Sequence, residues 1–503
     1  MIYFCIFLTG ASVMVIELLG TRVIAPFYGA SLYVWSALIS VTMMALALGY
    51  FLGGRLADRS KGSLLERVIA LSASAVLLIP LISHPVLLWT DPFGLRLGSF
   101  ISAFILFTPA LFLLGMVAPI AIKEATRSLS GVGASSGQIY AVSTLGSVAG
   151  TMVLAYALYP LVGSRHILMG LGALLLLLSG LFMWRTRSLG GRVTRFSGGL
   201  LLLLGGVLLA INLLKDHQAV EGPYQVVSER ESLYGRVRVI DHRTSDLRLL
   251  SSDASVIGAA SLATGQNRLT YQQIVSLIPL LKPGFKKALL IGQGAGHMAM
   301  DLQERYGIET DTIEIDPEVA RAASDYFGFK PTGNAFVGDG RYVIRGLQGP
   351  YDLIIHDCFT GGSEPTHLLT VEALQDLRRL LSPTGVLALN FVSFASPERN
   401  QALASVRRTA EAVFEHTRIF RSEPEKDFND FIVLASHQPV TLDSKHLTHE
   451  MITWLEDRET PIDAARGVLV TDDFNPMEHL QISKAERYRA TVVDWLGAEL
   501  LIP

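Results

Sequence analysis

Charge is scarce in this chain. Of its 503 residues only 17% are Asp, Glu, Lys or Arg, and half are apolar. That balance excludes an ordinary soluble protein of this length. Cysteine is scarcer still: Cys5 and Cys358 stand far apart, which excludes a disulfide framework and a cysteine metal site and leaves each as a buried, reduced thiol. No metal ligand set is read from any spacing. The net charge is −3 and no aromatic-rich basic patch occurs, so nucleic acid is not an expected partner. The length suits two or three domains.

The apolar excess lies before residue 215. Runs recur at about 2–20, 33–52, 64–82, 99–122, 138–162, 166–184 and 196–214, each near the ~20 residues a helix needs to cross hydrocarbon. The expectation is a multi-pass membrane domain over 1–214 with about seven spans. The first run lacks the basic start and cleavage signature of a signal peptide. Gly146 and Gly150 form a GxxxG, which predicts close helix packing. Glu17 is the one carboxylate deep in an apolar run; either it has a function there or it pairs with Arg22 or another span's polar group and only locks packing.

Basic residues concentrate in the even loops (Arg55, Arg59, Lys61, Lys123, Arg127, Arg185, Arg187, Arg192, Arg195), against Arg22, Arg96 and Arg165 in the odd ones. The positive-inside rule puts the even loops in the cytoplasm. With seven spans, everything after Leu214 is then outside. A domain that uses a nucleoside argues for the cytoplasm instead, and that side is preferred here against the charge count.

Residues 215–222 read as a polar linker. Over 223–265 short alternating segments (YQVVSER, SLYGRVRVID, DLRLLSSD) predict a small antiparallel sheet. A helical stretch near 267–281 follows. The rest, 266–503, reads as alternating strands and helices, hence a mostly parallel sheet covered on both faces.

The organising stretch is 287–316. An apolar strand at 288–291 runs into the turn Gly292-Gln-Gly294-Ala-Gly296, then a helix over 297–306, then a second strand carrying Glu314. Glycines let backbone approach a ligand, and an acid at the second strand's end can accept two ribose hydroxyls. Further strands at 335–337 and 351–356 end at Gly338-Asp339-Gly340 and at Asp357. Ligands of such sheets sit outside the carboxyl ends of the strands, so Glu314, Asp339 and Asp357 should line one crevice.

With these residues in view, the chain over about 232–437 resembles the spermidine synthases, aminopropyltransferases that use decarboxylated S-adenosylmethionine. The resemblance rests on S-x-Y-G (Ser232, Tyr234, Gly235), Tyr271-Gln272, the glycine loop, Glu-Ile-Asp-Pro at 314–317, Gly-Asp-Gly-Arg at 338–341, His-Asp-x-Phe-Thr at 356–360 and Pro-x-His-Leu-Leu-Thr at 365–370. The first half, with Glu17, Arg22, Pro26 and Gly29 and with GGRLADR at 53–59, is similar to the membrane-fused branch of that family. GGRLADR alone also resembles a short cytoplasmic turn of major-facilitator transporters.

The resemblance implies a Rossmann-like, class I methyltransferase-type domain behind the small sheet. It implies that Glu314 binds the ribose, that Asp339 with Gly340 holds the adenine, and that the backbone at Gly292, Gly294 and Gly296 holds the thioether. Gln272 would lie near the aminopropyl arm, and Tyr271 and Asp357 would be catalytic. Tyr234 and Glu364 are candidates for the amine, and Asp427 and Asp430 for its remote anchor. A homodimer is also implied.

Two family acids are replaced, by Ala295 and Thr360, and a late Tyr expected near 422–430 is missing. Transfer onto an amine also requires that the ammonium, with a pKa near 10, lose its proton first. His356 and His367 are weighed as proton acceptors but read better as structural, and Asp472-Asp473 as a helix cap. The sequence-level function is aminopropyl transfer to a diamine. The alternatives are an S-adenosylmethionine-dependent methyltransferase and a non-catalytic membrane sensor of polyamine or nucleoside.

Overall fold

The computed structural model describes all residues except 30, 61–63, 127–130, 160, 187–191, 215–222, 360–362, 443–444 and 503. The expected linker, Thr360, Lys61, Arg127 and Arg187 therefore lie outside the described residues. The chain divides into two units, Met1–Ala219 with Ala498–Pro503, and Val220–Gly497.

The first unit is helical: α1 (Ile2–Tyr28), α2 (Leu32–Arg59), α3 (Leu65–Thr90), α4 (Gly94–Ala125), α5 (Val132–Val153, continued by a π-turn Leu154–Leu158), α6 (Ser164–Thr186) and α7 (Arg192–Leu214). Among the described residues six stretches are long and apolar enough to cross a membrane. One of them, Leu65–Ala125, has 61 residues, roughly 90 Å as a straight helix and three times a hydrocarbon core. The 3₁₀ turn Asp91–Phe93 breaks it into α3 and α4, which pack on each other. The sequence reading of about seven spans counts that stretch as two crossings.

Glycines set the closest helix approaches. A Cβ on Gly146 would lie 2.0 Å from the Phe7 carbonyl oxygen, and one on Gly150 would lie 2.9 Å from the Ala11 Cα, so the GxxxG of α5 seats on α1. Arg22 lies over the Tyr159 ring at 5.0 Å.

The second unit opens with the antiparallel sheet β1 (Tyr224–Glu231), β2 (Arg236–His242), β3 (Leu247–Ser252) and β4 (Ser255–Ala260). It continues with α8 (Tyr271–Leu281), β5 (Lys287–Ile291), α9 (His297–Tyr306), β6 (Glu309–Glu314), α10 (Pro317–Phe327), β7 (Ala335–Val337), α11 (Gly340–Gly346), β8 (Tyr351–His356), α12 (Val371–Leu380), β9 (Leu381–Phe394), α13 (Gln401–Glu411), β10 (His416–Arg421), β11 (Phe428–Ser436), α14 (His449–Glu456), α15 (Met477–Leu480) and α16 (Ile482–Leu496); α17 (Ala498–Leu501) belongs to the helical unit.

The large sheet has the order β10-β11-β9-β8-β5-β6-β7. Strands β7, β6, β5, β8 and β9 are parallel, while β11 runs antiparallel to β9 and to β10. Alternation along the strands builds two cores. Leu289, Ile291, Ile354, Leu387 and Leu389 face Leu374, Leu377 and Leu403 of α12 and α13. Ala288, Leu290, Leu353, Ile355 and Ala388 face Ile274, Ile278, Met298 and Leu302 of α8 and α9. From β5 the chain winds outward through β6 and β7, then returns to β8 on the other side of β5. The gap between β5 and β8 is thus the topological switch point where such sheets bind ligands.

Candidate active site

A cavity of about 350 Å³ opens at that switch point. Its wall includes Gly292 and Gly294 after β5, Glu314 at the end of β6, Asp339 and Gly340 after β7, and Asp357 after β8. The three strand-end acids do share one crevice. Tyr234, Tyr271 and His367 also line it.

Gly292 cannot be another residue at this point. Its φ is +88°, and a Cβ would sit 2.1 Å from the Asp357 carbonyl oxygen. The Glu314 carboxylate is buried and takes the backbone N–H of Gly294 at 3.2 Å and of Asp316 at 3.1 Å. Burial outweighs these donors and pushes its pKa up to about 7. The Asp339 carboxylate caps α11 by accepting the Tyr342 N–H at 2.9 Å, and its second oxygen lies 3.6 Å from Nε2 of His367.

At the other end of the cavity Tyr271 donates its hydroxyl to Oδ2 of Asp357 at 2.8 Å, and Asn390 donates its amide to Oδ1 at 2.8 Å. Burial raises the Asp357 pKa against those two donors. Burial beside the Asp357 charge holds the Tyr271 phenol neutral. The Asp430 carboxyl lines the same end, pushed up to about 7 by burial and by the charge of Asp357. The Cys358 thiol is likewise raised well above its ordinary value by burial among these acids, which removes it as a nucleophile.

Several residues singled out in the sequence stand elsewhere. Gln272 is not on the cavity wall; its amide reaches the Tyr271 hydroxyl at 3.3 Å. Gly296 caps α9 at φ +81°, where a Cβ would meet the Phe329 ring at 2.1 Å, so it serves packing. Glu364 is sealed in an ion pair with Lys484 and accepts the Val392 N–H at 2.9 Å. Asp427 pairs with Arg399. Asp472 does not cap a helix: it grips Arg341 through two bonds of 2.7 and 2.6 Å and accepts the Thr370 hydroxyl at 2.8 Å. His356 is buried off the wall, where desolvation drops its pKa to about 4. Ala295 is 3% exposed and packs with Val237, Val239 and Leu250 beneath the small sheet.

Other lining residues had no signal in the sequence. Asn390 comes from β9, and Tyr488 and Trp495 come from α16. The Tyr488 hydroxyl accepts the N–H of Val256, 232 residues away, at 3.1 Å. It brings a tyrosine to the wall where the 422–430 segment has none.

Strand order and strand-end acids define the class, a Rossmann-like α/β domain with an acid-lined crevice at its switch point. The C-terminal half is homologous to the polyamine aminopropyltransferases, and it follows an apolar helical region. The chain is 35% identical over 184 residues to the polyamine aminopropyltransferase of Vibrio vulnificus, covering 34% of this chain and 61% of that protein. It is 29% identical over 262 residues to the N-terminal histidine N-methyltransferase of Emericella nidulans, covering 47% of this chain and 45% of that protein. The match thus spans only about half the length of these two relatives. Among solved structures, a probable spermidine synthase from Corynebacterium glutamicum aligns with a TM-score of 0.39 at 22% identity, over 44% of this chain and 84% of that one. No model of a known protein family matches the chain.

Proposed function

We propose that the α/β unit transfers an aminopropyl group from decarboxylated S-adenosylmethionine to an amine nitrogen and releases methylthioadenosine. The charge of the cavity carries this reading. Its wall holds Glu314, Asp316, Asp339, Asp357 and Asp430, besides Glu423, which Lys426 engages at 2.6 Å, against one arginine, Arg268, which Asp246 engages at 3.0 Å. Decarboxylated S-adenosylmethionine is a sulfonium with a free ammonium and no carboxylate. An acidic wall suits that dication better than it suits a donor whose carboxylate needs a counter-charge.

In this reading Glu314 takes the ribose hydroxyls and Asp339 the adenine amino group. The donors Tyr271 and Asn390 hold Asp357 in one orientation, ready to accept the proton of the ammonium. The freed nitrogen lone pair then forms the N–C bond while the C–S bond breaks, its electrons passing to sulfur. Incubation of the purified protein with decarboxylated S-adenosylmethionine and a panel of amines, with products identified by mass, tests the proposal; methylthioadenosine and an aminopropylated amine are expected.

Methyl transfer from intact S-adenosylmethionine is the second reading. Burial of Ala295 in an apolar contact, where the aminopropyltransferase pattern has an acid, favours it, as does the similarity to a methyltransferase. S-adenosylhomocysteine as the by-product would establish it in place of the first.

A further inference from the structure

The acceptor end of the cavity contains more acid than it offers to a ligand. Glu423 is paired with Lys426 at 2.6 Å, Asp427 with Arg399, and Glu364 with Lys484. The last pair differs in kind from the other two, because both side chains are almost wholly buried, at 2% and 1% exposure. Lys484 also donates to Oε1 of Gln481 at 3.1 Å, and its ammonium stands 4.3 Å from the ring centre of Phe391 and 5.5 Å from that of Phe359. Phe359 in turn packs edge-on against Tyr488 at 4.8 Å, and both line the cavity. The lysine therefore sits directly behind the wall, and its charge acts on Asp430 as well as on Glu364.

Burying an ammonium is costly unless it is paired and further contacted, and here a carboxylate, an amide oxygen and two ring faces serve it. A second ammonium brought in by a ligand would find the Glu364 carboxylate already neutralised by Lys484, with no counter-charge left over for it. It could take Glu364 only by stranding Lys484. Among the described residues on this side, Asp357 and Asp430 alone have no cation of the chain in direct contact, and Lys484 already offsets Asp430.

We infer that Lys484 is a built-in cation that takes the counter-charge the far ammonium of a diamine would need, and that the acceptor presents a single amine to the cavity. This rests on the amine-transfer reading and names its substrate class.

The test uses the full chain in detergent with methylthioadenosine bound, titrated calorimetrically with n-butylamine and with 1,4-diaminobutane. The wild-type protein is expected to bind butylamine at least as tightly. Lys484→Met, which frees Glu364, is expected to shift the affinity ratio at least tenfold toward the diamine. Should that variant not fold, Lys484→Met with Glu364→Gln removes both charges of the pair, and the ratio shifts the same way through Asp430. A wild-type preference of more than tenfold for the diamine, or a ratio that the substitutions leave unchanged, overturns the inference. Transfer from decarboxylated S-adenosylmethionine is scored in the same samples. The expected binding without transfer counts against the transferase reading alone; transfer with a diamine preference counts against the inference alone; binding of neither amine overturns both.

Discussion

The Tyr271 hydroxyl donates to the Asp357 carboxylate at 2.8 Å, tying the first residue of α8 to the residue after β8. Asn390 fixes the other carboxylate oxygen, so the acid can neither rotate nor move away from the cavity. Asp357→Asn keeps the shape and removes the proton acceptor. Turnover of the amine should fall ~10²–10⁴-fold, with nucleoside affinity little changed. Tyr271→Phe should cost less, and the double variant less than the product of the two, because both act through one hydrogen bond. Steady-state rates on the three variants check this.

Glu314 links ligand binding to pH. The native carboxyl, with its pKa raised to about 7, keeps its proton while the unfolded chain has already released it above the ordinary value of 4.5. Stability from this residue therefore falls as pH rises from 4.5 to 7 and is flat above, a loss of about 3 kcal/mol over the window. Ribose hydroxyls donate to the ionised form, so methylthioadenosine should bind more weakly as pH drops below 7, approaching tenfold per unit. Glu314→Gln should abolish that dependence and the pH dependence of stability, and weaken nucleoside binding, its amide nitrogen being unable to accept the backbone N–H that the replaced oxygen takes. Affinity and thermal unfolding across pH 5–8, wild type against variant, read both effects.

Gly292→Ala places a methyl against the Asp357 backbone at φ +88°. Neither neighbour is a flexible side-chain end that can swing aside, so the turn or β8 must shift. A destabilisation of about 1–3 kcal/mol is expected, together with loss of methylthioadenosine binding. Chemical denaturation and calorimetry measure the two; a variant with native affinity would show that the turn does not set the distance between β5 and β8.

Asp472 receives both arms of Arg341, which follows the loop Gly338-Asp339-Gly340 that is proposed to hold the adenine. Asp472→Ala leaves a largely buried guanidinium without its bidentate partner. We expect about 1–2 kcal/mol of lost stability and a higher KM for the nucleoside donor with kcat retained. Equal loss in KM and kcat would place Asp472 in catalysis rather than in support of the loop.

Strand-end chemistry was legible in the residues themselves. An acid directly after a buried apolar run can also be a helix cap, as Asp339 is for α11, but Glu314, Asp339 and Asp357 together pointed to one wall, and all three line it. Side chains that reach this wall from distant helices carried no such mark: Tyr488 sits in an amphipathic helix whose pattern says only that one face is buried. Glu364 shows the limit most plainly. Its place in the loop at 361–365, close in sequence to the position of a replaced acid, made it a candidate for the amine but gave no sign of the lysine that holds it.

The order of apolar runs, alternating strands and glycine turns determined an apolar helical region followed by a small sheet and a nucleotide-type sheet, because local periodicity decides which face of each element must be buried. Which acids remain available to a ligand and which are spent on Lys484, Lys426 or Arg399 was decided only in the folded chain. Ion pairing depends on distances of a few ångströms between residues far apart in sequence, and no local pattern encodes those distances.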